Sequence, residues 1–195
     1  RDASGAPIKI SVPLPGRELY AVIYKVQVGR VPLYLLDSNL PAETQTDWLE
    51  QQLRDTTAEW KIVSYHHPAF ASHPTRDNAR IRAHWTPLFD RYDVQLALQG
   101  HDPAYLRTYR MYENRRSPDE RGAYYVVSYI GNKSYEQDPR DHSEVALGQT
   151  RTWQVIEVDN AKGEMRYRAV NAEGRTVDRL TIPSRRPAPS ENKVD

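Results

Sequence analysis

The chain has 195 residues, 38% hydrophobic and 27% charged, with 27 basic against 26 acidic side chains and no cysteine. That length supplies one well-buried core, and a net charge of +1 leaves no electrostatic footprint for nucleic acid. No apolar run approaches the roughly 20 residues that span a bilayer. Without thiolates, a disulfide scaffold is excluded and any metal must be held by nitrogen and oxygen.

Residues 8–12 alternate and read as a short strand closed by Pro13 and Pro15. Residues 19–28 and 31–36 are rich in β-branched and aromatic side chains and meet at Gly29-Arg30, a hairpin signal. Pro32 then falls near the start of its strand, where a missing N–H is tolerated. The polar stop Asp37-Ser38-Asn39 follows, with Asp37 expected to cap the turn. A helix is predicted over 43–54, where Thr44 and Asp47 form a loose capping pair and Trp48, Leu49 and Leu53 share one face. Residues 60–65 are the next strand. Ile81, Trp85, Leu88 and Phe89 then recur at helical spacing over 78–89, and Pro87 kinks this helix or starts a second short one. With a further strand at 94–98, the order β-α-β-α-β predicts a parallel sheet with crossover helices.

After Tyr112 the pattern changes. Residues 123–129 are an apolar strand, and strands at 153–158, 165–170 and 175–182 are separated by polar, glycine-containing turns at 160–163 and 171–174. This predicts an antiparallel meander at the outer edge of a second sheet packed on the first. One domain is expected over 1–184, followed by a polar, proline-bearing disordered tail over 185–195. The opening Arg1-Asp2-Ala3-Ser4-Gly5 has no apolar stretch, so no signal peptide is expected there.

Two of these strands each end in a histidine: His66 follows 62–65 and His101 follows 96–100. Imidazoles at the ends of neighbouring strands converge on the crevice where an open α/β sheet places its ligands, and two of them point to a metal. His67 is expected to stand behind His66 or face solvent. His84 and His142 are expected at the surface. Tyr105 and Arg107 suit either loop orientation or phosphate contact, and Arg107 equally suits a structural ion pair.

Five blocks carry a family resemblance by their joint order. They are Tyr34-Leu35-Leu36-Asp37-Ser38-Asn39, Thr46-Asp47-Trp48-Leu49-Glu50-Gln51-Gln52-Leu53, Trp60-Lys61-Ile62-Val63-Ser64-Tyr65-His66-His67-Pro68, Gly100-His101-Asp102-Pro103-Ala104-Tyr105-Leu106-Arg107 and Gly122-Ala123-Tyr124-Tyr125-Val126-Val127-Ser128. Over residues 33–182 the chain resembles the C-terminal half of calcineurin-like metallophosphoesterases, in particular purple acid phosphatases and their bacterial relatives. The resemblance implies an α/β fold, a two-sheet sandwich flanked by helices (αββα), and hydrolysis of phosphate monoesters at a dinuclear centre of iron, zinc or manganese. Two metals about 3.5–4 Å apart clamp a phosphate, acidify a bound water and stabilise the leaving oxygen. It also implies metal ligation by His66 and His101, phosphate contact or general-acid work by His73, and a phosphorylated small-molecule or protein substrate. The expected compartment is periplasmic or extracellular.

Two departures weigh against activity in this chain alone. Where the family's Gly-His-x-His block has a second histidine, Pro103 stands, and Asp102 beside it should point elsewhere. The N-terminal blocks Asp-x-His, Gly-Asp-x-x-Asp and Gly-Asn-His-Asp/Glu are absent, so the fold is expected to be incomplete on its N-terminal side. The alternative is a non-catalytic, phosphoesterase-like binding module without a complete metal site. An open sheet edge would then be covered by a second copy or a partner chain, and neither nucleic acid nor membrane is an expected partner. Residues 26–37 also resemble a strand segment of bacterial α-glucan phosphorylases, a short and non-catalytic stretch.

Overall fold

The computed structural model describes residues 11–14, 17–20, 23–135, 137 and 139–185. The predicted strand over 8–12 lies outside them except for its last two positions, and the predicted tail except for Arg185. In chain order, β1 (Ser11–Leu14) and β2 (Arg17–Tyr20) form a small hairpin. Next come β3 (Tyr24–Val28), β4 (Val31–Leu35), a 3₁₀ turn (Ala42–Gln45), α1 (Thr46–Arg54) and β5 (Ile62–Ser64). Two short helices follow, α2 (Ala79–His84) and α3 (Thr86–Arg91), then β6 (Leu96–Gln99) and β7 (Tyr105–Thr108). The chain continues through β8 (Met111–Tyr112), β9 (Arg115–Arg116), β10 (Tyr124–Val127) and β11 (Ser143–Leu147). It closes with β12 (Thr152–Asp159), β13 (Glu164–Asn171) and β14 (Thr176–Pro183).

Seven strands form the main sheet in the order β11-β7-β10-β6-β5-β4-β3. Its four central strands, β10, β6, β5 and β4, are mutually parallel, as the alternation of strands and helices predicts, and the flanking strands run antiparallel. The hairpin β3–β4 turns at Gly29, φ +58°. Pro32 lies just ahead of the β4–β5 pairing, which begins at Leu33 with Ile62, so its missing N–H interrupts no parallel ladder. Pro87 opens α3 rather than sitting inside one long helix.

Strand periodicity of two sorts the core. Tyr34, Val63, Ala97 and Tyr125 pack with Leu49, Leu53, Ile81, Trp85 and Phe89 of the helices. Their neighbours Leu33, Ile62, Leu96 and Val126 face the other way, against Met165, Tyr167, Ala169 and Ile182 of the separate three-stranded sheet β12-β13-β14. A sheet buried on both faces explains why its strands read as continuous apolar runs. Trp85 fastens the helical side, its indole N–H donating to the Ala42 carbonyl at 2.9 Å and its ring meeting Tyr65 edge-on at 5.1 Å.

Strands β7 and β11 escape the hydrophobic pattern for a reason visible in the packing. All four residues of β7 are buried, Arg107 and Thr108 included. Arg107 donates to Asp178 from Nε at 2.7 Å and pairs with Glu144, while the Tyr105 hydroxyl bonds Asp178 at 2.5 Å and Tyr167 at 3.0 Å. Polar side chains thus stand where the pattern would require apolar ones. At the start of β10, Gly122 has φ +85°, and a Cβ there would lie 1.8 Å from the Met111 carbonyl oxygen, so only glycine fits. Arg185 donates to the Gly122 carbonyl at 2.7 Å and pairs with Asp93.

Candidate functional site

The site lies at the carboxyl ends of β5 and β6. Their register, Ile62 with Leu96 and Ser64 with Leu98, continues past both strands: the Tyr65 amide donates to Leu98 at 3.1 Å and the Gly100 amide to His66 at 3.0 Å. The ladder therefore carries His66 and Gly100 side by side. The next residue, His101, then turns back in the left-handed region at φ +65°, a conformation histidine adopts more readily than most residues. His101 Nδ1 comes to 3.1 Å from His66 Nε2, with the rings perpendicular.

His67 joins them. One nitrogen from each of His66, His67 and His101 lies within 4.8 Å of the others, and the rings of His67 and His101 are 4.4 Å apart. An outer or solvent-facing position for His67 follows from strand alternation. Alternation lapses where β5 ends, and two consecutive histidines then reach one crevice. The ring of His67 is held by Ser38, whose Oγ lies 2.9 Å from Nδ1 and accepts the His67 amide at 2.8 Å. The basicity of His67 is lowered by burial and then by the charge of His66; that of His101 is lowered by burial and then by His67 and Arg76. Both shifts favour the neutral form of His67 and His101, the form that ligates a cation.

Asp102 turns away from the imidazoles into the protein. Its carboxylate, wholly buried, accepts the Ser72 amide at 2.8 Å, the Ser72 hydroxyl at 2.9 Å and the His73 amide at 3.3 Å, and pairs with Arg76. Burial alone would raise its pKa, but Arg76 and the three donors on Ser72 and His73 outweigh it and hold the group below the usual carboxylate range. Asp102 thus clamps the His101 turn to the loop carrying His73.

His73 itself is half-buried and stands outside the triad. Its Nδ1 is 3.0 Å from the Thr75 hydroxyl, and its ring lies 5.6 Å from Tyr135, which Arg76 and Lys133 also approach. Pro103 contributes only its carbonyl, which accepts the Tyr135 amide at 2.9 Å.

The other sequence candidates take structural places. Asp37 caps its turn, accepting the Asn39 amide at 2.9 Å. Arg107 makes the buried ion pairs described above. His142 is not a plain surface residue: it is half-buried and donates from Nε2 to the Ala71 carbonyl at 3.1 Å.

A cavity of 630 Å³ opens beside His66 and Gly100, lined also by Tyr24, Asp37, Ser128 and Gln154. A larger one, 900 Å³, lies beside Trp60 ahead of β5, between Arg30 and the turn carrying Lys162. His66 lines the smaller cavity, and we place the site at this end of the sheet. Three imidazoles suit one transition-metal cation. They do not fit the metal pair that the family resemblance implies, because no carboxylate among the described residues joins the cluster.

No family model matches the chain. An uncharacterized protein of Mycobacterium tuberculosis is 35% identical over 71 residues, 33% of this chain but 13% of that protein. The maltodextrin phosphorylase of Thermococcus litoralis is 46% identical over 43 residues, 22% of this chain and 5% of that protein. The chain thus spans a small fraction of the curated relatives it matches. Among solved structures, a purple acid phosphatase from yellow lupin (Lupinus luteus) seeds superposes with a TM-score of 0.66 at 16% identity, over 83% of this chain and 32% of that one. PhoD superposes at 0.62 with 11% identity, over 93% and 45% of the two chains. GAP50 of Plasmodium, described as the anchor in its inner membrane complex, superposes at 0.59 with 15% identity, over 84% and 54%. A mixed α/β chain with one large sheet, few helices and these neighbours has a metallophosphoesterase-like fold.

Proposed function

We propose that this chain is the histidine-bearing part of a metal-dependent phosphoesterase that hydrolyses phosphate monoesters. The observation that carries the reading is the approach of His66 Nε2 and His101 Nδ1 to 3.1 Å at the carboxyl ends of parallel strands in a phosphoesterase-like fold. In this reading the two sheets are the C-terminal half of an αββα sandwich. His66 and His101 would ligate metal, and a dinuclear iron, zinc or manganese centre would need carboxylate ligands from outside the described residues. His73, clamped through its amide by Asp102, contacts the phosphate or protonates the leaving oxygen. Lys133 beside Tyr135 brings a positive charge to that rim suited to an anionic substrate, whereas Arg76 there is paired with Asp102. A periplasmic or extracellular location belongs to the same proposal. The test is turnover of a generic aryl phosphate with added divalent metal, beside His101→Ala: equal rates in the two proteins would remove His101 from the chemistry.

Asp102 and Pro103 favour a second reading, a non-catalytic module that binds a phosphorylated ligand. Asp102, which follows His101, is spent on clamping two loops, and the proline offers no side-chain ligand. Inorganic phosphate that binds the metal-loaded chain without aryl phosphate turnover would select this reading. Either way β3 forms an edge of the main sheet, with four of its five residues exposed. A second copy or a partner chain would cover it; a monomer in light scattering at high concentration counts against a second copy.

A further inference from the structure

The donor set at the strand ends differs from a two-metal centre in kind as well as in number. Two cations held close together repel each other and need anionic bridges. Among the described residues no carboxylate lies with the three imidazoles. Asp37 and Asp102, on the loops beside these strand ends, have hydrogen-bond partners of their own. Asp37 Oδ1 accepts the Asn39 amide at 2.9 Å and its side-chain amide at 3.0 Å, and Asp102 faces Ser72, His73 and Arg76.

The imidazoles themselves have the geometry of ligands to one ion. Nitrogens bound tetrahedrally at about 2.0–2.1 Å from one zinc ion lie about 3.3 Å apart. His66 Nε2 and His101 Nδ1 are already 3.1 Å apart, and a His67 nitrogen completes the group within 4.8 Å. Ser38 fixes the His67 ring by two contacts, at 2.9 and 2.8 Å, the arrangement by which outer-shell partners orient ligating histidines. His66 and His101 are exposed and His67 half-buried, so an ion can enter without unfolding and the coordination position away from the protein stays open.

We infer that this chain binds a single divalent transition-metal cation on His66, His67 and His101, with His67 as the third ligand. The inference is independent of phosphatase activity: three protein ligands and an open position define a binding site whether or not turnover follows.

Metal-free chain titrated with Zn²⁺ against a chromophoric chelator, and with Co²⁺ followed by its visible absorption, tests this directly. One ion per chain is expected. His66→Ala, His67→Ala and His101→Ala should each weaken binding by at least ~100-fold, Ser38→Ala by about 10-fold, and His84→Ala should leave it unchanged. Far-ultraviolet circular dichroism and melting of the metal-free variants separate ligand loss from misfolding. X-ray absorption of the zinc-loaded wild type should show three imidazoles, a readout that needs no variant. Two ions per chain, undiminished affinity in His67→Ala, two or fewer imidazoles at the metal, or no binding would each overturn the inference.

Discussion

The histidine crevice and the buried network around Asp178 use polar side chains to opposite ends. At Asp178, every partner is inside: Arg107, Tyr105 and through it Tyr167 satisfy one another between β7 and the three-stranded sheet. Burial, then the neighbouring Tyr167 and Asp178, push the Tyr105 hydroxyl far above its ordinary pKa, so it remains a neutral donor. At the crevice, three imidazoles come together with no carboxylate among the described residues in their cluster, two of them exposed, and Asp102 beside them is turned the other way. A satisfied network fastens two sheets. Converging imidazoles at strand ends are the arrangement we propose for a metal ion. Charge in a strand is therefore no guide to function until its partners are known.

Breaking the satisfied network should have the largest effect on folding. Asp178→Ala leaves Arg107 buried with only Glu144, and should cost about 3–5 kcal/mol in urea unfolding while leaving metal affinity unchanged. A smaller loss would mean that water enters and screens the pair.

Asp102 stands between the two regions, structural in its bonds yet adjacent to the site. Asp102→Asn should cost about 1–3 kcal/mol at neutral pH, since Arg76 is partly exposed and recovers some hydration. The folded pKa of Asp102 lies below its unfolded value. Its contribution is therefore complete above about pH 4 and lost as pH falls through the folded pKa. Urea midpoints measured from pH 5 down to pH 2 should fall less steeply in the Asn variant than in wild type.

His101 sharpens the comparison from the other side. Its left-handed backbone is a cost that a ligand role would justify, so His101→Gly should stabilise the metal-free chain by about 1 kcal/mol while removing a metal ligand. Stabilisation without loss of metal binding would sever strain from function.

The smallest effect is expected at His142, which supports the loop of Ala71 and Ser72 from outside. Burial lowers its pKa below the ordinary histidine value. Its contribution is thus complete above the unfolded pKa and declines as pH falls toward the folded one. His142→Gln should flatten the thermal-melting profile slightly between pH 7 and pH 5.

The parallel core was legible in the sequence, because β4, β5 and β6 with α1 and α2–α3 between them depend on local periodicity and chain order. So was the placing of His66 and His101 at neighbouring strand ends, since parallel register follows from the crossover connections. The closing meander β12–β14 was legible from its turns for the same local reason. Strand β7 was not, because its polar side chains are compatible with burial only when Asp178, some seventy residues later, is folded against them. Tertiary structure alone decided the rest of the site. His67 reaches the crevice because β5 stops before it, His101 turns back through a positive φ, and Asp102 is drawn inward by a loop thirty residues away. Each depends on which groups meet in space, where hydrogen bonding and burial overrule the spacing of residues along the chain.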